Sequence, residues 1–433
     1  MSDKLKNNTR PSLLVKYNTS VLKKNFLDKI YILLICSIIF LIPSNLFLKL
    51  NTSSAYVNGL LVDYLIPKLY LSDIFILILL LLWLIKIIIN KKKIIFKTSY
   101  FYLPSILASL IIVRQIFTPY PWAAAWYLFR LIEIGLLAWF LSTHKKFFQK
   151  SAVYLTIIFT TLFQSGLALW QFLTQQSLLG FNFFGEPNLS NSIGLAKDMW
   201  WKTGRILPYA TTAHPNILGG ILAIFSLILI NLVLITEKKW FKILASLTVF
   251  LAISVIILTQ SISAILTLII GLILITRKKI DDKMCIFCGV IFFIFTPILI
   301  GLAANHLKND DSLTRRAYLQ TAAANIILDN PILGSGFNQF TSRVEKYSDA
   351  KEIVRFVQPV HHVGLLWLAE TGVLGILLIW ILSKRLKINQ LVLPLIILLP
   401  IATLDHYLLT QQTGLLLIIF ATSFFKEELK DRK

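Results

Sequence analysis

Apolar residues in this chain gather into long runs separated by short polar breaks, as in residues 74–89 and 217–235. A run of roughly 18 or more apolar residues, wound as a helix, matches the hydrocarbon thickness of a bilayer. The pattern predicts twelve spans: 30–47, 70–89, 100–117, 122–141, 151–173, 217–235, 241–258, 259–275, 284–304, 363–382, and a final pair between 391 and 425. Thr259-Gln260-Ser261 joins the seventh and eighth spans in a tight hairpin. Pro400 interrupts the final pair, and Asp405-His406 marks its turn. The expected fold is an all-α polytopic membrane protein, with residues 1–433 forming a single transmembrane bundle.

Charge orients the bundle. The chain has 43 basic and 21 acidic residues, a formal charge of +22. In a soluble protein this excess would suggest nucleic acid. Here it sits in short clusters between apolar runs: Lys91-Lys92-Lys93, Lys145-Lys146, Lys238-Lys239, Arg277-Lys278-Lys279 and Lys384-Arg385. Alternate loops lack such clusters, so the positive-inside rule explains the excess and no nucleic-acid partner is expected. Both termini are expected in the cytoplasm, in a multi-pass protein of the inner cell membrane whose surroundings are the lipid bilayer. No cleavable signal peptide is evident, because the first 29 residues are polar and basic. Three cysteines make no disulfide framework; Cys36, and Cys285 with Cys288, read as buried thiols within spans.

Two long loops then fall outside, at 174–213 and 305–362. Long extracytoplasmic loops need a reason, whereas short ones merely connect. The first holds Gly185-Glu186-Pro187, Trp200-Trp201, Arg205 and His214-Pro215-Asn216. As physics alone, the last three read as a helix start at the interface. The second holds Arg315-Arg316 before an amphipathic helix over 317–328. Asn330-Pro331 stops that helix, Gly334-Ser335-Gly336 makes a turn, and His361-His362 leads into the next span. Arginine forks onto phosphate oxygens, and histidine can accept a proton from a hydroxyl near neutral pH.

Arg130 and Glu133 lie three apart on one face of the fourth span and read as a structural ion pair. Arg114 is near enough to the outer end of its span to reach headgroups. The outer loops contain no DxD, P-loop, HExxH or G-x-S-x-G. No metal ligand set or cofactor is expected; Asp310-Asp311 is an isolated acidic pair.

The ordered set of motifs resembles the O-antigen ligase and polymerase superfamily. It comprises His214-Pro215-Asn216 opening a span, Arg316 followed by Pro331-Ile332-Leu333-Gly334-Ser335-Gly336, and His361 followed by Ala369-Glu370-Thr371-Gly372. The resemblance implies a helical, GT-C-like membrane glycosyltransferase that is metal-independent and inverting. Such an enzyme moves a glycan from an undecaprenyl-pyrophosphate donor to a glycan, lipid or protein acceptor on the outer face. On that basis Arg316 holds the donor pyrophosphate and His361 activates the acceptor hydroxyl. Arg315, His214, Asn216, Gly334, Gly336 and His362 are expected near substrate. The family's first-loop arginine aligns with Leu207, so either Arg205, two residues earlier, takes that role or this site is weakened. The family's Gly-Thr-Phe run is replaced here by Ala210-Thr211-Thr212. Two rival functions remain open: a transporter of the lipid-linked glycan, for which Arg130 and Glu133 speak, and a non-catalytic scaffold.

Overall fold

The computed structural model describes residues 12–90, 102–178, 185–189, 194–276, 282–306, 311–348, 357–385 and 391–431. The basic clusters at 91–93 and 277–279, and Asp310, lie outside the described residues. The apolar runs are helices. α1 is Ser12–Leu41, α2 Leu71–Ile89, α3 Tyr102–Ile116, α4 Pro121–Thr143, α5 Ser151–Thr174, α6 Pro215–Ile235, α7 Lys239–Leu258, α8 Ile262–Thr276 and α9 Asp282–His306. After them come α10 Asp311–Asp329, α11 Phe340–Arg343, α12 Val363–Arg385, α13 Val392–Leu404, α14 Tyr407–Thr410 and α15 Gln412–Asp431.

Seven of these helices (α2, α4, α5, α6, α7, α9 and α12) are long and apolar enough to cross a membrane, so the chain is a multi-pass membrane protein. α3, α8, α13 and α15 are apolar over shorter lengths. α1 ends at Leu41, earlier than the apolar run suggested, because the chain turns at Ile42-Pro43 and Pro43 cannot continue a helix. α6 is apolar on every side, with residues such as Leu218, Ile221 and Leu222 fully buried. It packs against α5, α7, α8 and α15, as expected of a helix at the centre of a bundle.

Between α1 and α2 the chain does more than connect. β1 (Phe47–Lys49) pairs antiparallel with β4 (Lys68–Tyr70), and β2 (Tyr56–Val57) pairs with β3 (Leu60–Leu61) across Asn58-Gly59. Both turn residues have positive φ, which the Asn-Gly pair suits. Ala55, Val62, Leu65 and Ile66 form a small core with Ala123 of α4, so this segment is folded onto the end of the bundle.

α10 begins at Asp311, before the predicted start at 317, so Arg315 and Arg316 lie on the helix rather than ahead of it. Leu319, Ala322, Ala323 and Ile326 form its buried stripe, packed on Phe340, Val344, Leu366 and Ala369. The turn after α10 is locked into a break in α12. Gly372 has φ 62° and ψ −165°, which interrupts the helix. The exposed groups are satisfied by the turn: Ser335 N–H donates to Ala369 O (2.9 Å) and Gly336 N–H to Glu370 O (2.9 Å), while Val373 N–H donates to Pro331 O (2.9 Å). A Cβ on Gly334 (φ 66°) would lie 2.4 Å from the Glu370 carbonyl carbon.

Candidate functional site

One end of the bundle, among the described residues, encloses a cavity of about 290 Å³. Its wall comes from five places: the β1–β4 segment (Tyr64, Lys68, Tyr70), α4 (Trp126, Tyr127, Arg130), the start of α6 (His214, Asn216), the end of the second long loop (Asn338, Gln358, His361), and the α13–α15 corner (Asp405, His406, Gln412). Residues more than three hundred positions apart, such as Tyr64 and Gln412, therefore share one space.

His214 is held by the start of α6. It caps the helix with extended backbone, and its Nδ1 accepts from Asn216 N–H at 3.1 Å. Pro215 fits the first helical position. Two glutamines of α5 fix the strand leading to it. Gln171 Oε1 accepts from Tyr209 N–H (3.0 Å) and Ala210 N–H (2.7 Å), and Gln164 Oε1 accepts from Thr211 N–H at 3.2 Å. Ala210 has φ 48°, a left-handed conformation at the position where the resemblance expects glycine. The Asn216 side chain donates to Asp405 Oδ2 at 3.1 Å, which joins the start of α6 to the α13–α14 corner.

His361 faces the ring of His406 edge-on at 4.9 Å between centroids. Its Nδ1 is buried with no hydrogen-bond partner. His406 Nδ1 lies 2.8 Å from Thr410 Oγ1, and its ring meets Tyr64 at 5.5 Å. Asp405 Oδ1 accepts the His406 N–H at 2.8 Å. Donor atoms of His361, Asp405 and His406 all lie within 4.8 Å of one another, the one His/Cys/Asp/Glu group among the described residues able to surround a metal ion.

Electrostatics gives these groups different states. Burial lowers the basicity of His361, and the charges of His406 and Arg316 lower it further, so it sits well below the ordinary histidine range. Burial pulls His406 down to about 4, with His214 and Arg316 adding to the shift and Asp405 opposing it. Burial likewise lowers His214, against the pull of Asp405. For Asp405, burial favours the neutral acid, but His406, His361, His214 and Arg316 outweigh it and hold the carboxyl below its usual range. At neutral pH the site therefore holds one carboxylate and three neutral imidazoles, under the field of Arg316 on α10.

At the other end of the cavity, Arg130 does not pair with Glu133 as its helical spacing suggested. Its guanidinium bonds Asp73 Oδ1 of α2 (3.3 Å), Lys68 O (2.6 Å) and the side chain of Gln412. Both Glu133 carboxylate oxygens are buried without a hydrogen-bond partner. The i, i+3 rule brings side chains onto one face but does not choose the partner; a carboxylate from a neighbouring helix is better aimed. Arg114 donates to Phe117 O (3.2 Å) and Ser335 O (3.4 Å).

The remaining predicted site residues disperse. Arg315 lies on α10 beside Arg316, and neither lines the cavity wall. His362 caps α12, accepting from Leu365 N–H through Nδ1 (3.1 Å), with Nε2 at Phe293 O (3.1 Å). Gly334 and Gly336 face the broken helix α12 and the α3 end, where Cβ atoms would strike Glu370 and Thr118. Their bare backbone thus serves a loop–helix contact. Arg205 is exposed and folds back on the end of α5: its guanidinium donates to Phe172 O (3.0 Å) and lies over the Phe172 ring.

Sequence reasoning passed over Asp405-His406, taking it only as a turn, and passed over Lys68 and Asp73. The available signal was that both an Asp-His pair and an isolated Asp stood at the ends of apolar runs on the same side as the long loops.

Comparison with known proteins bears on this arrangement at one stretch. No curated protein matches the chain. Residues 216–380 match the profile of the O-antigen ligase family. The matched stretch starts at Asn216 beside His214 and carries Arg316, the Gly334–Gly336 turn, His361 and the broken helix α12. Over this stretch the motifs stand in the order read from the sequence, and the match supports the O-antigen ligase superfamily.

Proposed function

We propose that this protein transfers a glycan from an undecaprenyl-pyrophosphate donor to an acceptor hydroxyl at the outer face of the cell membrane, as a ligase or a repeat-unit polymerase. The observation that carries the proposal is the cavity, where a neutral His361, its Nδ1 buried without a hydrogen-bond partner, stands beside Asp405 and His406, and which Arg130 and Lys68 also line. Such a cavity can hold an anion at one end and a proton acceptor at the other. His361 is a weak base because burial and the positive charge of Arg316 outweigh the Asp405 carboxylate. A bound pyrophosphate adds negative charge and raises its affinity for a proton at the moment the acceptor hydroxyl must lose one. The hydroxyl oxygen attacks the anomeric carbon, the bond to the pyrophosphate breaks, and fixed cations stabilise the charge left on the phosphate. His214 presents Nε2–H, since its Nδ1 accepts from Asn216 N–H, and so can donate to a phosphate or hydroxyl oxygen. Arg316 supplies long-range positive charge from α10, and Arg205 lies farther out, on the end of α5. The transporter alternative leaned on Arg130 and Glu133. Arg130 lines the same cavity as His361, so it no longer supports a separate path.

The test is His361→Ala in a deletion strain of the source cell or a close host, with surface glycan and lipid-linked donor both measured. Loss of surface glycan with outward-facing donor accumulating supports transfer. Donor retained on the cytoplasmic face supports the transporter. Wild-type behaviour with normal expression removes His361 from the chemistry.

A further inference from the structure

The hydrogen bonds around His361, Asp405 and His406 decide which atoms face one another. Thr410 Oγ1 donates to the His406 carbonyl at 3.3 Å and lies 2.8 Å from His406 Nδ1. With its proton directed at the carbonyl, the hydroxyl accepts from Nδ1–H. His406 Nε2 then carries the lone pair, and the Tyr64 hydroxyl stands 3.5 Å from it. His361 Nδ1 is buried and bonded to nothing. Asp405 accepts one hydrogen bond on each oxygen, from Asn216 Nδ2 and from His406 N–H, which leaves further lone pairs. His214 is different, because its free nitrogen carries the proton and it enters as a donor.

Two imidazoles and one carboxylate, with donor atoms within 4.8 Å of one another, make a ligand set suited to zinc. Ligands at about 2.0–2.2 Å from a tetrahedral zinc stand roughly 3.3–3.6 Å apart, so the set closes by an inward shift of about 1 Å, which the unanchored His361 ring can supply. Thr410 and Asn216 bond the ligands from behind, as outer groups do in metal sites. The fourth position opens onto the cavity.

The geometry points to a three-ligand zinc site at His361, Asp405 and His406 whose occupation withdraws the His361 lone pair from the acceptor hydroxyl. The site itself rests on the side-chain geometry; the competition rests on the proposed transfer. Zinc would thus act as a reversible inhibitor of the outer-face reaction.

Full-length protein in detergent, equilibrated with zinc and freed of excess, should retain one zinc per chain by elemental analysis. Cobalt(II) in its place should give the visible absorption of a tetrahedral site. Asp405→Asn and His406→Gln should each lose both signals, and His362→Gln, whose side chain lies outside the cluster, should keep them. Absence of bound metal in the wild type, or binding that survives both cluster substitutions, overturns the site. Zinc should also suppress wild-type transfer, with recovery on adding a chelator; bound zinc with undiminished transfer overturns the competition. A wild-type preparation without transfer would count against the transferase proposal alone, since metal stoichiometry still decides the site.

Discussion

Replacing Arg130 with Met tests whether the cavity floor is held by a buried ion pair. The Arg130 and Asp73 side chains are 7% and 0% exposed, and the guanidinium joins α4 to α2, to β4 and to α15 through Asp73, Lys68 O and Gln412. Removing the cation leaves the Asp73 carboxylate with the Tyr70 N–H and Gln412 alone. Breaking a buried pair from one side costs about 3–5 kcal/mol, because the remaining charge is uncompensated. Removing both charges together often costs far less. Arg130→Met should therefore lower the denaturation midpoint in detergent sharply, and Arg130→Met with Asp73→Leu should recover most of the loss. Intrinsic fluorescence is a suitable probe, since Trp126 lies 6.0 Å from the guanidinium. Transfer should stay low in the double variant even when its stability returns, because the cavity has lost the guanidinium and keeps only Lys68. A single variant as stable as wild type would refute the ion-pair argument, and a stable double variant with full transfer would refute the cation's role.

Further outcomes follow from other parts of the site. Arg316→Met should reduce transfer by removing the long-range positive charge, and Arg316→Lys, which keeps that charge, should retain most of it; an Arg316→Lys loss as large as that of Met would show that the guanidinium fork is needed. His361 and His406 hold protons more weakly folded than unfolded, so they favour the folded state when neutral. That contribution is present above about pH 6.5 and is lost as pH falls toward the folded value, about 4 for His406. Melting curves should show it, and His406→Gln should flatten the dependence. Gly334→Ala should destabilise by roughly 2–5 kcal/mol, combining left-handed backbone strain with overlap on Glu370. An unchanged melting temperature would mean that the turn is not docked in solution.

The helices were legible because an apolar run of this length has one cheap solution in a bilayer, with every backbone group paired inside the segment. The exception at the end of α1 came from Pro43, a local signal outweighed by the apolar residues around it. His214 and His361 could be found because each opens a helix next to a long loop. Their partners could not. Asp405 and His406 join His361 only through tertiary packing, and a polar pair between two short apolar helices looks like any turn. Arg130 shows the same limit: helical spacing offered Glu133, while the bundle supplied Asp73. The glycines of the second loop were visible as a turn, but the broken helix that receives them is marked in sequence only by Gly372.

The cavity's size carries a consequence for recognition. At about 290 Å³ it falls at the small end of ligand pockets, which run to about 1,000 Å³. A polysaccharide cannot enter such a space. Under the proposed transfer only the junction being broken and made is enclosed, and the rest of each chain trails into the surroundings. An enzyme built this way inspects the linkage and is blind to length, so short and long glycans should react at similar rates once their first sugar is accepted.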